Sequence, residues 1–158
     1  MSLHNWFMAL AHSPLGHAMQ TSKWDFAVVE MVHLLALALL GGSVLVIDLR
    51  LLGLILKGES AWEIGRDLGR VLLASLAVMA LSGIALLSEE AGKCYYSPAF
   101  RWKMVLLAGA VLFYGTLHRS ALKQTGRGKP TMWARAAAVV SLVLWLGVGI
   151  AGRAIGLL

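Results

Sequence analysis

The chain has 158 residues, of which 59% are hydrophobic and only 14% are charged. Soluble domains usually carry about 25% charged residues, so this composition excludes a disordered chain, a coiled coil and almost any water-soluble enzyme. The single cysteine excludes an internal disulfide and a Cys-x-x-Cys-His haem-attachment site. We therefore expect an integral membrane protein without stand-alone enzyme activity.

Residues 1–22 are predicted to form a short interfacial helix that lies on the membrane surface. Their apolar side chains recur at helical spacing, at Leu3, Trp6, Phe7 and Leu10. The Ser13-Pro14 pair then interrupts the helix. The apolar run is too short, and its start too poor in basic residues, for a signal peptide.

Four apolar stretches follow, and each approaches the length of a membrane span. A hydrocarbon core of ~30 Å requires about 20 residues of helix, and unbroken Leu, Ala and Val runs lack the alternation of a strand. We predict helices at about 26–56, 68–89, 100–122 and 132–156. The predicted fold class is all-α, an integral membrane four-helix bundle that forms a single domain over residues 1–158.

Most basic residues fall in the two segments that join helix one to helix two and helix three to helix four. These nine of the 14 Lys and Arg residues are Arg50, Lys57, Arg66, Arg70, Arg119, Lys123, Arg127, Lys129 and Arg135. The positive-inside rule predicts that both segments are cytoplasmic and both termini are outside, in a bacterial inner membrane. The net charge of +6 therefore indicates topology and contact with the lipid bilayer rather than nucleic acid. A Gly-x-x-x-Gly pattern at 152–156 favours other membrane subunits or a second copy as further partners.

Ionisable residues inside membrane helices are costly and tend to mark function. Glu30, His33 and Asp48 share one side of helix one, while Lys103 and His118 share one side of helix three. We predict an outer cluster of Glu30, His33 and Lys103, joined by Glu89 or Glu90. We predict an inner cluster of Asp48, Arg50 and His118, joined by Arg70. The alternative interpretation is plain charge compensation at helix ends, through Glu–Lys and Asp–Arg pairs.

The two inward histidines suggest a sharper hypothesis. Neutral imidazole is a common axial ligand of haem iron, and helix bundles build cofactor sites from facing helices. His33 and His118 are therefore candidate ligands of a b-type haem iron, although their predicted depths differ by ~12 Å. His17 or His12 is an alternative partner for His33. The competing interpretation is a pair of hydrogen-bonded core histidines.

Two segments resemble a known group of proteins. Residues 24–54 contain a Trp/Phe start, Glu-x-x-His, a Gly pair and Asp-Leu-Arg-Leu-Leu-Gly, and residues 82–119 place a Lys early in helix three and a His near its end. This pattern resembles a group of small, largely uncharacterised bacterial four-helix membrane proteins. More loosely, it is similar to copper-resistance protein D membrane domains and membrane di-haem b-type cytochromes, which implies copper handling or electron transfer.

The chain departs from both looser resemblances. It has two inward histidines rather than the four of a di-haem protein, and its methionines form no Met-x-x-Met cluster for copper. The leading hypothesis is a membrane protein that binds b-type haem and transfers electrons within a larger complex, with Glu30 and Asp48 tuning the site or relaying protons. The alternative is a non-redox transporter or assembly subunit whose polar clusters are structural or proton-coupled.

Overall fold

The computed structural model describes residues 3–89, 91–126 and 128–155. In chain order these residues form α1 (Leu3–Ala11), α2 (Pro14–Thr21), α3 (Lys23–Leu52), α4 (Ala61–Glu89), α5 (Ala91–Tyr96), α6 (Pro98–Phe113), a π-helical segment (Tyr114–His118), α7 (Arg119–Thr125) and α8 (Met132–Ile155). No strand occurs among them, so the predicted all-α class is confirmed.

Four helical units have the length and composition needed to cross a membrane. They are α3, α4, the continuous unit Pro98–Thr125 that joins α6, the π-helical segment and α7, and finally α8. The predicted four-helix bundle is confirmed. Large apolar side chains such as Leu81, Leu112 and Leu146 are exposed on its outside, as expected for surfaces that face lipid tails.

The first span ends at Leu52 rather than near residue 56 as predicted, because Gly53 terminates α3. Gly53 adopts the left-handed conformation with φ 78°. Its N–H donates to the Arg50 carbonyl at 3.0 Å, and the Leu54 N–H donates to the Leu49 carbonyl at 3.0 Å. This pair of bonds is a Schellman motif, which satisfies the last carbonyls of the helix.

The second span begins earlier than predicted, at Ala61 rather than near residue 68. The Ser60 hydroxyl accepts the Glu63 N–H at 3.4 Å, and the Ala61 N–H donates to the Gly126 carbonyl at 2.7 Å. These bonds satisfy donors at the start of α4 and tie it to the loop that follows α7. We call the end of the bundle that carries loops 53–60 and 126–131 the basic end.

The opposite end of the bundle is covered by the N-terminal residues, which form two short helices rather than one. Pro14 occupies the first turn of α2, and the Ser13 hydroxyl caps it by accepting the Gly16 N–H at 3.2 Å. Helix α1 packs on α5, and α2 packs on α4 and α3. We call this the capped end. Cys94 belongs to its buried core with Phe7 and Ala91.

The four spans do not contact one another equally along their length. Helix α3 packs extensively on α4 and also on α8, and α8 packs on α6. Helix α4 contacts α7 near the basic end but makes almost no contact with α6. The bundle is consequently tight at the basic end and splayed between α4 and α6 toward the capped end.

Arg50 provides a test of how the basic end is held together. Its buried side chain donates from Nε and Nη2 to the Glu59 carbonyl, at 3.1 Å and 2.7 Å. We expect Arg50→Met to lower the free energy of unfolding by about 1–3 kcal/mol, because a partly buried carbonyl loses its donors. Chemical unfolding in detergent, followed by circular dichroism, measures the change.

The control is Arg66→Met, since Arg66 forms an exposed ion pair with Asp67. Exposed pairs contribute about 0–1 kcal/mol. Equal losses in the two variants would contradict a structural role for the Arg50 bonds.

Candidate functional site

The most deeply buried polar contact in the described bundle joins Asp48 of α3 to His118 of the π-helical segment. His118 Nε2 lies 2.6 Å from Asp48 Oδ1, and both residues are at most 1% exposed. The other oxygen and nitrogen, Asp48 Oδ2 and His118 Nδ1, have no hydrogen-bond partner. The predicted meeting of Asp48 with His118 is therefore found, and it forms a buried polar centre with unused hydrogen-bonding capacity.

Aromatic rings and a hydroxyl surround this pair. The Tyr114 ring lies 5.3 Å from the His118 ring at an interplanar angle of 30°, and the Phe113 ring lies 6.4 Å away. The side chain of Ser141, on α8, approaches the Asp48 carboxylate. The Tyr114 hydroxyl lies against Gly69 of α4, where a Cβ would come within 2.7 Å of it. Glycine at position 69 therefore makes room for the tyrosine.

The π-helical segment determines which side chains reach the centre of the bundle. It begins at Tyr114 and ends at His118, and these two are its buried residues. A π turn accommodates more residues than an α turn, so it changes the faces that successive side chains present, and such segments are frequent at functional sites. Here it presents both the tyrosine and the histidine to the interior.

Apolar layers enclose the Asp48–His118 pair on both sides along the bundle axis. Toward the capped end lies a cluster of Leu40, Val44 and Leu72, to which Tyr114 also belongs. Toward the basic end lies a second cluster that includes Ile47, Leu51, Ala121, Leu122, Ala134, Ala137 and Ala138. The pair therefore lies between two apolar layers, and both of its side chains are almost fully buried.

The predicted membership of the inner cluster requires correction at Arg50 and Arg70. Arg50 is buried, but it bonds the Glu59 carbonyl rather than the Asp48 carboxylate. It follows Asp48 by two residues, which places it about 200° around the helix. Arg70 is exposed on α4. The contact to Asp48 thus comes from a histidine, not from an arginine.

The other inward histidine, His33, belongs to a separate polar site nearer the capped end. Its Nδ1 lies 2.8 Å from the Ser82 hydroxyl, and that hydroxyl donates to the Val78 carbonyl at 2.7 Å. Because a serine has one hydroxyl proton, it must accept from His33 in this arrangement. Nδ1 is then protonated, and Nε2 carries a free lone pair.

The predicted pair of Glu30 with Lys103 does not form. Glu30 is exposed on α3, whereas the Lys103 ammonium lies beside Gly152 of α8, 3.7 Å from where a Cβ would stand. Lys103 and His33 line the same cavity, and His33 is the only charged or titratable residue of α3 that does so. Glu30 faces outward because the other helices cover a narrower stripe of α3 than the one that we predict. Of the two further acids suggested for this cluster, Glu89 does not line the cavity with Lys103, and Glu90 lies outside the described residues.

A large cavity occupies the splayed part of the bundle. Its volume is about 770 Å³, within the range of about 300–1,000 Å³ typical of small-molecule sites. Apolar side chains of α3, α4, α6 and α8 form most of its wall. Three basic side chains line it as well: His33, Lys103 and Arg153. An apolar chamber with cationic groups suits a ligand that combines an apolar body with an anionic group.

The structure does not bring His33 and His118 together. His33 and Asp48 lie on the same helix, separated by about 22 Å at a rise of ~1.5 Å per residue, and His118 contacts Asp48. Metal–nitrogen bonds are about 2 Å long, so the two imidazoles cannot share one iron in this fold. His12 and His17, the alternative partners, are exposed on α1–α2 and do not line the cavity.

Sequence reasoning missed Arg153 and the cavity itself. Arg153 is the basic residue in the last turn of α8, and that isolated charge at the end of an apolar helix was the available signal. Among the described residues, no group of three or more His, Cys, Asp or Glu side chains is placed to hold a metal ion.

The comparisons with known proteins assign a family but no activity. The profile of a family of unknown function, DUF6644, matches residues 6–158, and the chain belongs to this family. No curated protein and no solved structure matches the chain significantly. The resemblance to an uncharacterised group is thereby confirmed, and the family match adds no link to copper-resistance proteins or cytochromes.

A double-mutant cycle tests the separation of the two histidine sites. His118→Phe leaves a lone carboxylate in an apolar interior and should cost roughly 3–5 kcal/mol of unfolding free energy. Adding Asp48→Ala should recover part of this loss, because the uncompensated carboxylate is then removed. Chemical unfolding in detergent measures all variants.

The matched control combines Asp48→Ala with His33→Phe, which lies in the other polar site. Those two losses should add within about 0.5 kcal/mol. Additivity between Asp48 and His118, or strong coupling between Asp48 and His33, would refute the arrangement described above.

Proposed function

We propose that this DUF6644 protein is an inner-membrane protein that binds one b-type haem in the cavity and transfers electrons, with His33 as an axial ligand. The observation that carries the proposal is an imidazole with a free Nε2 on the wall of an apolar cavity that also holds two cationic side chains. His118 takes no part in binding this haem, because it contacts Asp48 away from His33 and does not line the cavity.

The hydrogen bond behind His33 supports a ligand role. Imidazoles that bind metals usually donate their other N–H to a hydrogen-bond acceptor, which fixes the tautomer and the ring orientation. Ser82 accepts that proton here and is itself anchored on the Val78 carbonyl. Gly83 lies beside the ring, where a Cβ would stand in van der Waals contact, 3.5 Å from His33 Cε1.

The remainder of the cavity wall fits the other parts of a haem. The macrocycle is flat and apolar, and Gly41 and Gly149 open the wall where larger side chains would narrow it. The two propionates are anionic, and Lys103 and Arg153 supply matching positive charge. Met79 and Met104 also line the cavity, and the thioether sulfur of either would be a competent second ligand of the iron.

Bound haem would supply a one-electron carrier, with a potential set by its axial ligands and by the polarity around it. The residues of the chain would hold and orient the group and exclude water from its apolar faces. Electron transfer requires a donor and an acceptor, which favours a place within a larger membrane complex.

The same wall also favours a second candidate function, that of a non-redox carrier or assembly subunit. Lys103, Arg153 and the apolar lining suit a lipid-like anion as well as a haem. The two functions differ in colour, because only haem absorbs visible light. A colourless protein that still binds an anionic amphiphile supports the second candidate.

Spectroscopy of the purified protein tests the haem proposal. Wild-type protein from cells supplied with haem should show a Soret band and a reducible α-band. His33→Ala should abolish both bands, and His33→Met should retain haem with a shifted spectrum. Ser82→Ala should weaken haem binding by roughly 10–100-fold, because it removes the group that orients the ligand.

His118→Ala is the matched control, since it removes the other buried histidine. It should retain the wild-type spectrum in the fraction that folds. A colourless wild-type protein, or equal loss of haem in His118→Ala and His33→Ala, would count against this assignment.

The orientation in the membrane is part of the same proposal. We infer from the basic residues at the basic end that this end is cytoplasmic, which places both termini outside. Arg127, one of the nine counted, lies outside the described residues. The cavity then lies in the outer half of the membrane and the Asp48–His118 pair in the inner half.

Thiol labelling in intact cells tests this orientation. Gly58 and Gly92 are exposed at the basic and capped ends, and a Cβ at either meets no atom within 4 Å. Gly92→Cys should react with a membrane-impermeant reagent, whereas Gly58→Cys should react only after the cells are permeabilised. Native Cys94 is buried and should contribute little background. The reverse pattern would invert the topology.

A further inference from the structure

The Asp48–His118 pair has no part in the haem proposal, yet its chemistry is specific. Two titratable groups meet at 2.6 Å with both side chains almost fully buried. A buried carboxylate or imidazolium is costly unless an opposite charge compensates it. The apolar surroundings of this pair therefore disfavour any state in which it carries a net charge.

The groups around the pair supply no permanent counter-charge to Asp48. The side chains that act on the carboxylate are His118 and Ser141, and the hydroxyl of the latter is uncharged. On α3, Arg50 is bonded to the Glu59 carbonyl. Arg119 of α7 lies over the Tyr114 ring, with its guanidinium carbon 6.0 Å from the ring centroid. Helix α4 contributes Gly69 and Leu72 on this side, neither of which titrates.

Counting protons then fixes the favoured state. A carboxylate beside a neutral imidazole carries a net charge of minus one, and a protonated carboxyl beside an imidazolium carries plus one. The pair is neutral only when one proton is added to the carboxylate and the neutral imidazole together. It can be written as a carboxyl with imidazole or as a carboxylate with imidazolium, and the short contact allows either.

We propose that Asp48 and His118 together form an occluded binding site for one proton. The unpartnered atoms Asp48 Oδ2 and His118 Nδ1 are the positions at which that proton or its hydrogen-bond partner can be exchanged. Both side chains are almost fully buried, and apolar clusters lie on either side of them, which slows exchange while the site is closed.

The π-helical segment is the element that opens the site. His118 is its last residue, and conversion of a π turn into an α turn changes the face that a side chain presents by up to about 100°. Such a change would carry the imidazole away from Asp48 without unfolding either flanking helix. The proton thus leaves or enters with the movement of His118.

Nuclear magnetic resonance of the full-length protein in nanodiscs tests the proposal directly. Histidine labelled with ¹⁵N and aspartate labelled with ¹³C report protonation and tautomer at the two side chains as pH changes. The signals of His118 and Asp48 should change together in one step. Because the site is occluded, each should give separate signals for its two forms, whereas exposed His12 and His17 should give averaged ones.

Variants distinguish a shared proton from two independent groups. Asp48→Asn removes the acidic partner at constant size, so His118 should remain neutral throughout the pH range in which the protein is folded. If that variant does not fold, wild-type signals alone remain decisive. Signals that do not change with pH, that change in two independent steps, or that are averaged as at His12 would overturn the proposal. None of these outcomes depends on whether haem binds.

Discussion

A carboxylate and an imidazole that share an apolar interior must satisfy each other, and this constraint organises the tight half of the bundle. Asp48 is placed by α3, and His118 reaches it from the third span only because that span changes to a π helix. The same change brings Tyr114 inward against Gly69. The Asp48–His118 contact therefore depends on the π-helical geometry of the third span. The same geometry sets how closely α4 and α7 pack on the bundle.

The two histidines show how similar residues acquire different chemistry from their surroundings. His118 is closed in by apolar clusters and by a carboxylate that occupies one nitrogen. His33 has a serine behind one nitrogen and an open cavity beside the ring. A serine leaves the imidazole neutral and able to bind a ligand, whereas a buried carboxylate favours retention of a proton. We accordingly propose a bound group at the His33 site and an exchangeable proton at the Asp48–His118 site.

The sequence carried enough information for the spans and for one of the two polar contacts. Apolar length predicts helices because a bilayer leaves few alternatives, and helical angles placed Asp48 and His118 on inward faces. The same angles failed for Glu30, which is exposed on α3. They also failed for Arg50, where a bond to the Glu59 carbonyl satisfies the guanidinium locally. Periodicity gives the side of a helix but not the width of its buried stripe.

The periodicity of single helices could not predict the cavity either. It exists because α4 approaches α7 but not α6, and the spacing between helices depends on side-chain volumes summed across several elements. Glycines at positions 41, 83 and 149 are compatible with both close packing and open space, and only the surrounding helices decide between them. In this chain Gly41 and Gly149 line open space, whereas Gly83 of α4 lies against the His33 ring of α3. The separation of α6 from α4 is therefore a property of how several helices pack together, and no single stretch of sequence determines it.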